Sequence, residues 1–212
     1  MTRTLTFLFF FILTISVFGQ ESDEDLVRKA IESYKSSLLN NNGEDAVKYI
    51  DSRTFKYYSD ILDLVKNADS SKVETNSLLD KLTVLLIRHK VSKKDILSFD
   101  GQTFFIYTIE SGMSGKGIEK STIGVITIED SKAKVQLIAN GQIAPVLLLL
   151  RKEGGNWKID LTALLSFQNS TFQKMEKNYG KSETEYIFNI LEKATGKKPC
   201  SEIWQPINSM RN

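Results

Sequence analysis

Residues 121–161 read STIGVITIEDSKAKVQLIANGQIAPVLLLLRKEGGNWKIDL. Ser121–Glu129 is rich in β-branched residues (Ile123, Val125, Ile126, Thr127, Ile128). Asp130-Ser131 turns the chain, and Lys132–Ile138 then alternates: Ala133, Val135 and Leu137 face one way, Lys132, Lys134 and Gln136 the other. Such alternation marks a strand with one face in water. Asn140-Gly141 is a tight-turn signal. Val146–Leu150 is an unbroken apolar run and predicts a strand buried on both faces. After Gly154-Gly155, Trp157, Ile159 and Leu161 alternate with Lys158 and Asp160. Short turns join neighbouring strands, so the stretch predicts a strongly curved antiparallel meander.

Helical periods flank this block. Ser22 and Asp25 make a capping signal, and Leu26, Ala30, Ile31, Tyr34 and Leu38 form one apolar stripe. Asn40-Asn41-Asn42-Gly43 ends that helix. Ala46, Val47 and Ile50 begin a short second one, and Phe55, Tyr58, Ile61, Leu62 and Val65 resume the period after Asp51. Asp69-Ser70-Ser71 breaks the chain. Leu78, Leu82, Leu85, Leu86 and His89 share a face of a third long helix. Gln102–Ser111 has strand-like composition but is bounded by Asp100 and Gly112, which suit helix caps; it is read as helix. Phe167, Phe172 and Met175 predict a helix ending at Gly180. Ser182 and Glu185 open another, with Tyr186, Ile187, Ile190, Leu191 and Ala194 on its apolar side. The tail Ile203-Trp204-Gln205-Pro206-Ile207 is apolar enough to pack back onto the domain. The fold class is therefore α+β, with N-terminal helices packed in a curved antiparallel sheet and added C-terminal helices.

Met1–Gln20 reads as a secretory address. Arg3 supplies the positive start and Leu5–Phe18 the apolar run, with Gly19 before the expected cut. The run is about 14 residues, shorter than the roughly 20 that a spanning helix needs. The expectation is a signal peptide over 1–19, no transmembrane span after cleavage, and an exported chain, periplasmic or secreted, forming one domain over 20–212. No Cys stands at the expected cut, so there is no thiol there for lipid attachment.

Of the 212 residues, 41% are hydrophobic and 25% charged, an ordinary globular balance. The net charge of +2 falls to +1 without Arg3, which argues against a nucleic-acid partner. Cys200 stands alone, so no intramolecular disulfide can form, and it is read as a half-buried small hydrophobe. One His and one Cys exclude the common zinc sites, and Glu21–Asp25 lacks the spacing of a calcium loop. No metal or cofactor is expected. His89, near the end of its helix, is read as a structural or capping residue. Gly112–Gly117 lacks the spacing of a phosphate loop. Asn169-Ser170-Thr171 is a formal glycosylation acceptor. Arg88, Lys90, Lys93 and Lys94 read as a solvated face.

Helices followed by a curved meander, with Ala133-Lys134-Val135, Val146–Leu150, the turn Glu153-Gly154-Gly155-Asn156, and Trp157-Lys158-Ile159-Asp160-Leu161, resemble the nuclear transport factor 2 superfamily, the SnoaL-like or cystatin-like α+β cone. The likeness covers about 45 residues well, mainly within 118–161. It implies a sheet wrapped around helices with a pocket at its wide end, but no particular reaction. Residues 164–207 depart from the minimal pattern and would cap the cone or replace a dimer contact. Candidate pocket residues are Tyr57, Tyr58, Phe104, Tyr107, Trp157 and Asp160. The family's isomerases use a pocket Asp with a Tyr or second acid; Asp160 with Tyr57, Tyr58 or Tyr107 would be the equivalent here, and no catalytic residue is assigned. The primary expectation is a non-enzymatic exported domain binding a small apolar ligand or a protein partner. The alternative is an isomerase- or hydrolase-like enzyme with an Asp/Tyr pocket. A homodimer, or a scaffold using the sheet's outer face, is a further option.

Overall fold

Side-chain caps set where the helices start. The computed structural model describes residues 21–114 and 120–209, and nine α-helices lie among them. Ser22, Asn42, Asp51, Asp69, Ser77, Ser92 and Asp100 each accept the backbone N–H three residues on. They open α1 (Asp23–Leu39), α2 (Gly43–Ala46), α3 (Ser52–Asn67), α4 (Ser70–Glu74), α5 (Leu78–Lys90), α6 (Lys93–Ser98) and α7 (Gly101–Glu110). Each cap satisfies an N–H that the first turn leaves unpaired. The strand-like segment 102–111 is the helix α7: Asp100 and Thr103 form a reciprocal capping box, and Phe104, Phe105 and Ile109 are buried together. Asp69, read with Ser70 and Ser71 as a break in the chain, starts a short helix instead. The secretory address and Gly115–Gly117 lie outside the described residues.

The sheet is a four-stranded antiparallel meander in sequence order: β1 (Ser121–Glu129), β2 (Lys132–Ala139), β3 (Gln142–Glu153) and β4 (Asn156–Asp160). Positive φ values at Asn140 (52°) and Gly141 (76°) make the turn that this pair of residues favours. β3 is longer than its apolar run. It includes Pro145, tolerated because the pairing with β2 is irregular between Gln136 and Ile138. A second irregularity lies between Ile123 and Ile126, at Gly124, where an added Cβ would come 3.1 Å from the Gln136 side chain.

One expectation fails here: β3 is buried on one face only. Leu148 and Leu150 point into the core, but Leu147 is 45% exposed and Ile143 65%. Val125 (65%) joins them on the outer face. The helices cover a single side of the sheet, so an unbroken apolar run does not require two covers. Cys200 is exposed as well, because the buried Pro199 and Ile203 turn inward on either side of it.

Ala133, Val135, Leu150 and Ile159 meet α1 (Val27, Ile31, Tyr34) and α7 (Phe105, Ile109) in the main core. Behind it, α3, α5 and Phe104 form a second cluster. Gly101 lets α7 approach α3 closely: a Cβ there would fall 2.7 Å from the Phe55 carbonyl oxygen. After a 3-10 turn at Leu161–Leu164 come α8 (Leu165–Tyr179) and α9 (Glu183–Thr195). The tail packs back as expected, with Ile203 and Ile207 buried.

Arg88, expected on a solvated face, is instead buried. Its guanidinium donates to the carbonyls of Leu64 (2.7 Å), Val65 (3.0 Å), Ala68 (2.5 Å) and Ile203 (3.2 Å). It thereby ties α5, the end of α3 and the tail together. Burial lowers its pKa to about 10, so it stays charged at neutral pH. We predict that Arg88→Met leaves these carbonyls unpaired and costs about 3 kcal/mol. A lower urea midpoint in circular dichroism checks this; an unchanged midpoint contradicts it.

Candidate functional site

Among the described residues lies a largely apolar cavity of about 740 Å³. α1 supplies Ile31, Tyr34 and Leu38 to its wall, and α3 supplies Tyr57, Tyr58 and Ile61. The sheet adds Ile123, Leu137 and Leu148 from its inner face, and α5 adds Leu82, Leu86 and Ile87. Leu164, Leu165 and Phe172 close one side, and Leu191 of α9 reaches in. The volume falls within the range of small-molecule sites. α8 has no buried residue, and its Leu165 and Phe172 are only half-buried where they line the hollow. Glu32 and Lys35 are the charged side chains of the lining.

Three of the expected pocket residues, Tyr57, Tyr58 and Phe104, line this cavity. Tyr58 stacks edge-on against Phe104 and Phe105, with ring centroids 5.6 and 5.0 Å away. Aromatic residues of α3 and α7 thus form one cluster. The other three lie elsewhere. Tyr107 packs on Phe99, 5.0 Å between centroids. Trp157 is buried against the start of α1 and donates its indole N–H to Asp23 (3.1 Å). Asp160, at the end of β4, is buried and accepts from Arg53 (3.0 Å) and from the backbone and hydroxyl of Thr162. It meets no tyrosine, because α3 brings Arg53, not Tyr57, to the end of β4.

Tyr57 has another carboxylate. Its hydroxyl donates to Asp80 (2.8 Å), which also accepts from Ser77 (2.7 Å). Burial, and then the Asp80 charge, push the Tyr57 pKa well above the ordinary tyrosine value. The phenol keeps its proton and commits it to Asp80, so its oxygen can only accept from a cavity occupant. Tyr34 and Tyr58 are likewise raised, chiefly by burial. His89 bonds Thr195 and the Lys197 carbonyl (both 3.0 Å), a structural tie from α5 to the end of α9. Asn169 accepts from the Leu79 N–H (3.1 Å) and fastens α8 to the start of α5. Among the described residues no cluster of three or more His, Cys, Asp or Glu is placed to hold a metal ion, and no helix is long and apolar enough to cross a membrane.

The cavity walls from α5, α8 and α9 were not singled out from sequence. Leu82, Leu86, Phe172 and Leu191 carry the same helical spacing as core residues, and periodicity cannot tell a packed face from a hollow one. No family model matches the chain, and neither does any curated protein or solved structure.

Asp51 caps α3 and bonds Thr54, which lines the cavity. Its Oδ1 accepts from the backbone (2.9 Å) and hydroxyl (2.8 Å) of Thr54, while its Oδ2 is buried without a partner. Burial raises its pKa; the Thr54 hydrogen bonds oppose this, and Asp160 and Glu153 add to it. The folded state therefore holds this proton more tightly than the unfolded chain does. The stability from it is fully present below the ordinary value of 3.8 and is lost as pH rises through the raised folded value. We predict that Asp51→Asn, which still caps the helix, raises the melting temperature at pH 7 and that the gain shrinks toward pH 3. A gain independent of pH, or a loss at pH 7, contradicts this.

Proposed function

We propose that this chain is an exported α+β cone domain, similar to the nuclear transport factor 2 superfamily, that holds a small apolar molecule without transforming it. The observation that carries this reading is the apolar cavity between the inner face of the sheet and α1, α3, α5 and α8. Empty apolar volume lowers stability, because lining atoms lose their contacts, and an occupant restores them. The half-buried apolar side chains of α8 fit the same idea. The family reading is supported by the sequential antiparallel order of the four strands and by helices packed on one face of the sheet. Export is supported by Arg3 and the apolar run Leu5–Phe18. Holding, as opposed to an Asp/Tyr reaction, is supported by Tyr57, whose proton is committed to Asp80, and by Asp160, which is paired with Arg53.

The test is a titration with the fluorescent apolar probe N-phenyl-1-naphthylamine. Saturable binding is expected at one site. Leu148→Trp, which fills part of the cavity, should raise the Kd about tenfold, or about 1.4 kcal/mol. A folded Leu148→Trp variant that binds as tightly as the parent contradicts the reading, as does an absence of saturable binding to the parent.

Self-association is a second reading, favoured by Val125, Ile143 and Leu147 exposed together on the sheet's outer face. In a two-fold pair the same patch covers itself. Light scattering should then give the mass of two copies, reduced to one by Val125→Lys with Ile143→Lys. A single-copy mass for the parent across concentrations rejects it.

A further inference from the structure

We propose that the cavity's occupant is a long-chain monocarboxylate, with its head group held by Lys35 and its chain in the apolar space under α8. This deepens the ligand-holding reading above and rests on it. Other buried or half-buried cations already have partners. Arg88 has its guanidinium surrounded by four carbonyls. Lys81 pairs with Glu74 and Glu183, Arg151 approaches Asp160 beside the exposed Arg53, and Lys152 pairs with Asp23. Lys66 and Lys158, also half-buried, donate to the carbonyls of Phe99 (2.8 Å) and Lys48 and do not line the cavity.

Lys35 differs from these in being the cation that lines the cavity. It is half-buried on α1 and lines the cavity, and its ammonium donates to the carbonyl oxygen of Ser121 (2.6 Å). It makes no ion pair among the described residues. An ammonium carries three donors, so two remain for an acceptor that enters the cavity. A positive charge at the edge of an apolar hollow is costly without a counter-charge, and a carboxylate supplies one. The Ser121 contact orients the ammonium before a ligand arrives, which lowers the entropic cost of binding.

The rest of the lining limits the ligand. Glu32 is the other charged wall residue, one helical turn before Lys35, and it is exposed. It leaves room for one negative charge at Lys35 and repels a second. A monoanion therefore fits better than a dianionic phosphate. Away from Lys35 the walls carry no charge and are mostly apolar, with Ile61, Leu82, Ile87, Phe104 and Leu148 all buried. An aliphatic chain gains there by leaving water. Tyr57 accepts only, so a carboxylate placed at that end would meet an oxygen; this orients the head group toward Lys35.

The experiment compares dodecanoate with dodecanol as displacers of N-phenyl-1-naphthylamine, for the parent and for Lys35→Gln, Lys35→Arg and Glu32→Gln. The parent should prefer the acid by about tenfold, the scale of a charge-assisted hydrogen bond. Lys35→Gln should lose the preference while keeping its affinity for the alcohol, which also shows that the variant folds. Lys35→Arg should keep the preference, and Glu32→Gln should keep or strengthen it. Equal affinity of the parent for acid and alcohol overturns the head-group assignment and leaves the cavity reading standing. So does a preference that survives in Lys35→Gln. Tighter binding of a dodecyl phosphate than of dodecanoate overturns the monocarboxylate. Failure of every probe and displacer on the parent overturns the ligand-holding reading itself.

Discussion

The start of α3 is stitched to the end of β4, and the arrangement of the molecule depends on that junction. The Asp51 N–H donates to the Ile159 carbonyl (3.0 Å), and the Thr54 hydroxyl accepts from the Leu161 N–H (3.0 Å). Arg53 of the same turn reaches Asp160. A helix cap and a strand terminus share their unpaired backbone groups, so neither is left unsatisfied in a buried place. The junction joins residues more than a hundred positions apart and fixes how the helical layer lies on the sheet.

The cavity follows from this geometry. With α3 held at the end of β4, and with Asp23 of α1 tied to Trp157 of β4 and to Lys152 of β3, the helices cover the sheet's inner face incompletely. The space left over is closed by the 3-10 turn at Leu161–Leu164 and by α8. Asn169 and the packing of α8 on α5 hold that helix in place without burying any of its residues. A helix that closes a hollow keeps its apolar side half-covered, and such a side is suited to contact with a ligand. Lys35 stands at the first residue of β1, where the same hollow meets a charge.

Much of the fold was legible. Capping residues such as Ser22, Ser77 and Ser182 signal helix starts through local hydrogen bonding alone, and Asn140-Gly141 or Gly154-Gly155 signal turns through backbone dihedrals. The residues 102–111 were ambiguous because composition and caps disagreed; the capping box and burial of both faces of that segment decided for helix. The burial of β3 was misread because an apolar run specifies a strand but not the number of layers around it. Arg88 was misread for a related reason. Its neighbours Lys90, Lys93 and Lys94 suggested solvent, while its actual partners are carbonyls from α3 and from the tail.

Of the candidate site, the aromatic residues on α3 and α7 were visible, since bulky rings at helical spacing must be covered by something. Their partners were not. Asp160 was paired in expectation with a tyrosine, yet the register of α3 against β4 presents Arg53, and Tyr57 turns to Asp80 on another helix. Local chemistry along the chain determined where helices begin, where strands turn and which faces avoid water. Only the tertiary structure decided which apolar faces touch and which leave a void, because that depends on distances between segments far apart in sequence, and periodicity carries no information about them.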